Sequence, residues 1–516
     1  MNALSPAPPA LRAGGTARRI ATASAVVLAA VSALLLTPRP YELSAATSGD
    51  AELAALVRQG IDDTTGFHGL SVAVVEPGPE GDLRVRSAGL GEQGDRGETV
   101  DGRTPFGSAS VAKVLPGMLL ADMVDRDEVG LDTTVGELLP DLGFTDPAVA
   151  ALTVEELATH TSGLSREDTT PPQTLWQFAA KRHPSPPTSV DGFLRTTAED
   201  AVVDPALRGA NHYSNTGFSL LGHALAEHLE TTYADLVRER ILDPLGMADT
   251  EVWTRVGGEV PDPRVHDADR GRPIELDRWS AHGPQGGVTT TAHDLGLLLA
   301  AMMDGSAPGA WSAEPIAPGD VDRREQGLGW YVETLGGRAI TSHGGNATTN
   351  GHTAWIGWSG DRGAVVLSNT HRFSEDVGIR LLGVDQPSPD NAAGERVYSA
   401  ATVALTLLPV LAWLGFAARR RPGRWVRRPA DRLGAVSHGT VAVALLAYAH
   451  AAGFWHLVSP WVWTTGAGLA VAAVLVSVHR WERLPVARGP RPWARWLSTA
   501  PPALAGLVLL VALALV

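Results

Sequence analysis

Phe106-Gly107-Ser108-Ala109-Ser110-Val111-Ala112-Lys113 is the stretch on which the reading of this chain turns. The apolar run from Val111 to Val124, interrupted only by Pro116 and Gly117, predicts a helix beginning near Ser110. Residues three apart then share a face, so the Lys113 amine reaches back to the Ser110 hydroxyl. The helix start leaves backbone N–H groups free for a developing anion. Serine is a poor nucleophile without a neighbouring base. The amine serves as that base only when neutral, a state that desolvation or nearby positive charge favours. By itself Ser-x-x-Lys is thin: two lysines and about one serine in twenty positions give roughly a one-in-ten chance match, a surface lysine on an ordinary helix. The lysine count adds weight. Of 42 basic residues only Lys113 and Lys181 are lysine. Arginine cannot shed its proton in a protein whereas a buried lysine can, so Lys113 is a candidate base on composition alone.

Two later segments carry related chemistry. Asn211-His212-Tyr213-Ser214-Asn215-Thr216-Gly217 opens another apolar helical run. A tyrosine beside a lysine can exchange protons with a serine or a leaving group, and Asn215 can orient the lysine or hold a substrate amide. The plainer reading is a helix cap by Ser214 or Asn215 with Tyr213 in the core. Thr341-Ser342-His343-Gly344-Gly345-Asn346 places small residues where a substrate can lie as an added strand. A backbone N–H there, paired with that of Ser110, would make an oxyanion hole. Otherwise His343 is a turn histidine.

Around these segments, residues 50–383 read as alternating helices and strands. Ala51 to Ile61 is predicted helical. Strands are expected at Leu70 to Val75, ended by Pro77-Gly78, and at Leu328 to Glu333, His352 to Trp358 and Gly363 to Leu367. Strands early and late with helices between imply one sheet assembled from both ends of the chain, an α/β (α+β) architecture. Residues 384–396, with Pro387 and Pro389, read as a stalk.

The rest of the 516 residues is membrane-like. The net charge of −14 is sharply divided: from Val397 onward 12 arginines face only Asp431 and Glu482, a local +10 that leaves −24 on residues 1–396. An acidic body without a basic stripe argues against nucleic acid as a partner. Residues 1–45 hold an apolar run, Ile20 to Leu36, behind Arg12, Arg18 and Arg19: a signal peptide or a signal anchor, the uncleaved anchor preferred. Within 397–516, apolar stretches at Val397–Ala418, Val436–Val458, Trp461–Val478 and Ser498–Val516 are each near the ~20 residues that span a bilayer. Arg419, Arg420, Arg421, Arg424, Arg427, Arg428 and Arg432 separate the first two; Arg480, Arg483, Arg488, Arg491 and Arg495 separate the last two. The positive-inside rule assigns both loops to the cytoplasm and the acidic region to the other side. Trp413, Trp425, Trp455, Trp461, Trp481 and Trp496 are expected to form an interfacial belt. His450, inside a span, is assigned to helix packing rather than proton relay.

Taken together and in order, the three segments resemble the serine β-lactamase and penicillin-binding protein superfamily, specifically class C β-lactamases and related DD-carboxypeptidases and esterases. Leu152-Thr153-Val154 with Thr159-His160-Thr161-Ser162-Gly163-Leu164, Asp243-Pro244-Leu245-Gly246-Met247, Gly286-Gly287-Val288 and Thr291-Ala292-His293-Asp294-Leu295 extend the likeness over roughly 50–380. The resemblance implies a mainly antiparallel sheet flanked by helices, with a helical subdomain and the active site between them. It makes Ser110 the acylated nucleophile, Lys113 its activator and Tyr213 the proton shuttle. Asn215 would contact lysine and substrate, His343 and Gly345 would lie on the substrate-binding strand, and the amides of Ser110 and Asn346 would form the oxyanion hole. His160 is assigned to supporting the fold. There are two departures. His343 stands where many class C enzymes have lysine, and residues 204–210 lack the usual Pro-Gly pair.

The expected activity is hydrolysis of a small amide or ester, such as a D-Ala-containing wall peptide or a β-lactam, by a membrane-anchored extracytoplasmic enzyme. The alternative is a penicillin- or wall-peptide-sensing receptor that deacylates slowly. There is no cysteine, and no His-Glu-x-x-His or comparable ligand cluster appears, so neither metal nor cofactor is expected. Oligomeric state is not legible.

Overall fold

A computed structural model describes residues 24, 27–28, 31–94, 97–166, 171–180, 189–253, 265–266, 273–274, 280–347, 351–370, 372–419, 430–488 and 491–514. Arg12, Arg18, Arg19, Lys181, Arg420, Arg421, Arg424, Trp425, Arg427 and Arg428 lie outside the described residues. The chain divides into two compact units, Pro40–Arg396 and a second made of Met1–Arg39 with Val397–Val516.

In the larger unit one antiparallel sheet holds β1 (Thr47–Gly49), β2 (Gly69–Pro77), β3 (Leu83–Gln93), β4 (Glu98–Thr99), β5 (Ala317–Pro318), β6 (Arg324–Gln326), β7 (Tyr331–Leu335), β8 (Arg338–Ala347), β9 (His352–Ser359) and β10 (Arg362–Ser368). Their order is β1-β3-β2-β10-β9-β8-β7-β6-β5, with β4 on β3, so the two ends of the sequence meet where β2 pairs with β10. The unbroken apolar character of β2 follows from burial on both faces. Ala73 and Val75 enter one hydrophobic cluster while Leu70, Val72 and Val74 enter another. Val365 and Leu367 of β10 join the first, and Ala364 and Val366 the second. Each fully buried Val or Leu contributes about 1.5–3 kcal/mol. Helix α1 (Ala51–Gly60), capped by Asp50, covers the second face through Leu53, Ala54 and Val57.

The first face carries the site. Helix α2 (Val114–Asp125) is buried through Val114 to Met123 and lies beside α3 (Asn215–His228), while α4 (Ala292–Asp304) packs on β2, β3 and β10. Leu328 to Trp330, expected as the start of a strand, is instead a buried loop leading into β7. Gly329 holds a φ of +75°, which breaks strand geometry, and its N–H donates to Ala158 O at 3.2 Å. This loop also accounts for Gly117: a side-chain carbon there would stand 2.0 Å from Leu328 O.

The segment read as a stalk contains the first turns of α5 (Pro389–Ala418), whose Asp390 pairs with Arg323 and Arg324 at 2.6 and 2.7 Å. Among the described residues of the second unit four helices are long and apolar enough to cross a membrane: α5, α6 (Arg432–Ala452), α7 (Trp461–Arg480, continued to Arg483) and α8 (Pro492–Ala514). Asp431 caps α6 at Gly434 N and receives a two-pronged bond from Arg495, at 2.6 and 2.9 Å, with the carboxylate side chain fully buried. Breaking such a pair from one side typically costs about 3–5 kcal/mol. Trp461, Trp481 and Trp496 are exposed. Trp413 and Trp455 are not: they pack inside, Trp413 against Gly439 and Trp455 with its indole N–H donating to Ala449 O at 3.1 Å.

Residues 31–35 are helical and join this unit, with Ala33 in its core beside Val410, Trp413 and Ala442. His450 Nε2–H donates to Leu36 O at 2.7 Å, and the Thr37 and Thr464 hydroxyls lie 2.8 Å apart. His450 therefore makes a helix-packing bond.

Candidate active site

The chain enters the site through a second, small sheet in which Phe106–Gly107 pairs with Val288–Thr290, itself paired with Glu251–Val252. Ser108 N–H donates to Val288 O at 2.9 Å, which sets Gln285 to Gly287 beside Ser110. Ala109 then takes a φ of +46°, unfavourable for any residue with a Cβ, and the chain turns into a 3-10 helix, Ala109–Lys113. The α-helix expected from Ser110 thus begins only at Val114. The tighter first turn matters. In a 3-10 helix residues i and i+3 eclipse, which sets Lys113 directly over Ser110.

Lys113 is wholly buried, with its Nζ 3.2 Å from Ser110 Oγ, 2.8 Å from Asn215 Oδ1 and 2.6 Å from Gln285 O. Two of these partners are carbonyls that can only accept. An ammonium meets that set with one N–H for each partner, and a neutral amine meets it with two N–H groups for the carbonyls and one lone pair for the Ser110 hydroxyl. Tyr213 Oη stands 2.8 Å from Ser110 Oγ on another side, and Lys113 Nζ lies 5.0 Å from the centre of the Tyr213 ring.

Tyr213 is held by its neighbours. His212 N–H donates to His160 O at 2.7 Å, Ser214 N–H to His160 Nδ1 at 3.1 Å, and the His160 ring lies 4.3 Å from that of Tyr213. Ser214 caps α3 by accepting from Gly217 N–H at 3.0 Å while its hydroxyl donates to Ser165 O at 2.7 Å. The cap at Ser214 thus also projects Asn215 and Tyr213 toward Lys113. Burial, followed by the charge on Lys113, holds the His160 imidazole well below its usual range, in keeping with a supporting role.

On β8, pairing with β7 ends at Ser342, whereas pairing with β9 continues through Ala347. Residues 343–347 thus form an open edge. Gly345 lies against the Ser110 backbone: a Cβ there would stand 2.8 Å from Ser110 N and 2.9 Å from Ser108 O. Asn346 is exposed. His343 is buried, its Nδ1–H donating to Gly344 O at 2.8 Å and its ring 5.4 Å from Tyr331. Burial, and next the Lys113 charge, pull this imidazole down to about 3, so it is neutral near pH 7. It cannot supply the positive charge a lysine would bring.

The structure thus brings together Ser110, Lys113, Tyr213, Asn215 and Gly345. The Gln285 carbonyl was not foreseen, because a main-chain acceptor leaves no mark on residue type; the Gly286-Gly287 pair beside it is the nearest signal. Among the described residues no group of three or more His, Asp or Glu is arranged to hold a metal ion.

A family model described as Beta-lactamase matches residues 53–384. Penicillin-binding protein 4 of Amycolatopsis lactamdurans is 30% identical over 169 residues, 33% of this chain and 41% of that protein. The D-alanyl-D-alanine-carboxypeptidase/endopeptidase AmpH of Escherichia coli (strain K12) is 30% identical over 197 residues, 36% of this chain and 46% of that one. The chain spans about two fifths to one half of the length of such relatives. Among solved structures, the D-amino acid amidase of Ochrobactrum anthropi SV3 superposes with a TM-score of 0.53 at 22% identity, covering 64% of this chain and 99% of that one, a likeness of fold. On the match over residues 53–384, the sheet topology and the three segments converging on Ser110, this chain belongs to the Beta-lactamase family.

Proposed function

We propose that this protein is a membrane-anchored, extracytoplasmic serine hydrolase that forms an acyl-enzyme on Ser110. The observation that carries the reading is that Ser110 Oγ lies within hydrogen-bond reach of both Lys113 Nζ, at 3.2 Å, and Tyr213 Oη, at 2.8 Å. Lys113, neutral, takes the hydroxyl proton as Oγ bonds to the substrate carbonyl carbon. The carbonyl oxygen becomes an oxyanion between the amides of Ser110 and Asn346. The proton passes through Tyr213 to the leaving amine or alcohol as the amide or ester bond breaks. Water then adds to the acyl carbon, giving its proton to the same relay, and Ser110 leaves with the carboxylic acid released. Wall peptides ending in D-Ala, β-lactams and simple esters are all substrates of the right class. The test is Ser110→Ala in the full-length protein: hydrolysis of a chromogenic ester that persists at the wild-type rate rejects the mechanism.

For the membrane part, we infer an in-to-out N-terminal helix retained as a fifth span. Its Leu36–Thr37 end meets the C-terminal end of α6 at His450 and the N-terminal end of α7 at Thr464. In the topology drawn from the arginine-rich loops, all three ends are extracytoplasmic. Cytoplasmic and periplasmic-side labelling of single introduced cysteines tests the orientation.

A further inference from the structure

Two arginines lie over tyrosine rings, and their surroundings differ. Arg324 sits 5.1 Å from the Tyr331 ring and is neutralised by Asp320 at 3.0 Å, Glu333 at 3.2 Å and Asp390 at 2.7 Å. Arg166 sits 4.8 Å from the ring of Tyr213, the residue bonded to Ser110 Oγ, and its side chain is exposed. No carboxylate among the described residues pairs with it.

The Arg166 backbone is not a loose loop. Its carbonyl accepts from Asn215 N–H at 3.0 Å, and the adjoining Ser165 carbonyl accepts from the Ser214 hydroxyl at 2.7 Å. The guanidinium is thereby tied to the segment that positions Tyr213 and Asn215. Neither position 165 nor 166 belongs to the three segments that identify the site.

The geometry points to Arg166 as a substrate-binding residue that anchors a carboxylate on the acyl part of the substrate, one tyrosine ring away from the nucleophile. A guanidinium presents a rigid fork that matches a carboxylate with two parallel N–H···O bonds, and its charge persists at every working pH. Buried, neutral His343 offers no competing cation on the open strand edge. The inference rests on the acyl-enzyme reading and names the substrate class of that same site.

The test uses the full-length protein in detergent micelles with p-nitrophenyl hemisuccinate and p-nitrophenyl butyrate, whose acyl chains match in length and differ by a terminal carboxylate. The readout is the ratio of kcat/KM for the charged ester to that for the neutral one. Arg166→Gln should lower this ratio about 10- to 100-fold, chiefly through KM, and Arg166→Lys should fall between, because an ammonium keeps the charge without the fork. A ratio unchanged in Arg166→Gln overturns the proposal, whether both rates fall together or neither moves. Hydrolysis that survives Ser110→Ala, or no hydrolysis of either ester by the wild type, defeats the acyl-enzyme reading and this inference with it.

Discussion

Asn215 Oδ1 accepts from Lys113 Nζ at 2.8 Å, joining the first turn of one helix to the 3-10 turn that carries Ser110. With Gln285 O taking a second N–H, the amine is oriented so that its third position faces Ser110. Asn215→Ala should therefore lower kcat about 100-fold with a smaller change in KM, since an oriented proton acceptor typically supplies 10²–10⁴-fold. Asn215→Asp should not restore the rate, because a carboxylate there stabilises the charged amine. Steady-state kinetics on the two variants checks both points.

Gly345 has no room for a methyl group. Gly345→Ala would set its Cβ 2.8 Å from Ser110 N, so backbone must move on one side of the site. Displacements near 1 Å cost on the order of 100-fold in rate. The expected outcome is a folded protein, with a melting temperature close to wild type, whose acylation rate has fallen by at least that factor.

Three buried imidazoles make the larger unit acid-sensitive. His343 is pulled to about 3 and His223 to about 4, each chiefly by burial, and His160 is also held low. In each case the folded value lies below the unfolded one near 6.5, so the unfolded chain binds more protons between the two. Their contribution to stability is complete above pH 6.5 and is lost as pH falls toward 4 and below. The slope is on the order of 1 kcal/mol per pH unit for each histidine. Thermal melts from pH 7 to pH 4 should show a steep decline, and His223→Phe should flatten it. The same shifts leave His343 neutral from pH 5 to 9, so no inflection near 6.5 in the pH–rate profile should vanish in a His343→Gln variant.

The N-terminal helix is tied to the membrane bundle by the His450–Leu36 and Thr37–Thr464 bonds and by buried Ala33. Intact mass spectrometry of protein extracted from membranes should therefore include residues upstream of Ser44. A mass that starts near Ala46 contradicts retention.

How much of this was legible in sequence depends on the interaction involved. Ser110 and Lys113 were readable because a three-residue spacing becomes a contact in any helical first turn, although the 3-10 form was not, since it depends on the turn imposed at Ala109. The apolar runs of β2, β9 and β10 announced strands buried on both faces. Leu328 looked equally strand-like but belongs to a loop, broken by the φ of +75° at Gly329 and packed against Gly117, two hundred residues away. Tyr213 was ambiguous between cap, core and catalysis, and the structure satisfies cap and proximity to Ser110 together. Gln285 acts through a carbonyl and Arg166 through its placement over a ring, neither of which residue type reveals. The Asp431–Arg495 pair was hidden for the same reason: it joins positions 64 residues apart.

The most direct test of the account is intact mass spectrometry of the full-length protein incubated with a labelled penicillin, followed by peptide mapping. The account predicts a single adduct on the peptide containing Ser110, absent from Ser110→Ala and formed more than 100-fold more slowly by Lys113→Ala. An adduct that decays within minutes marks a hydrolase, and one that persists for hours marks a sensor. Labelling at another residue, or undiminished labelling of Ser110→Ala, contradicts the central claim.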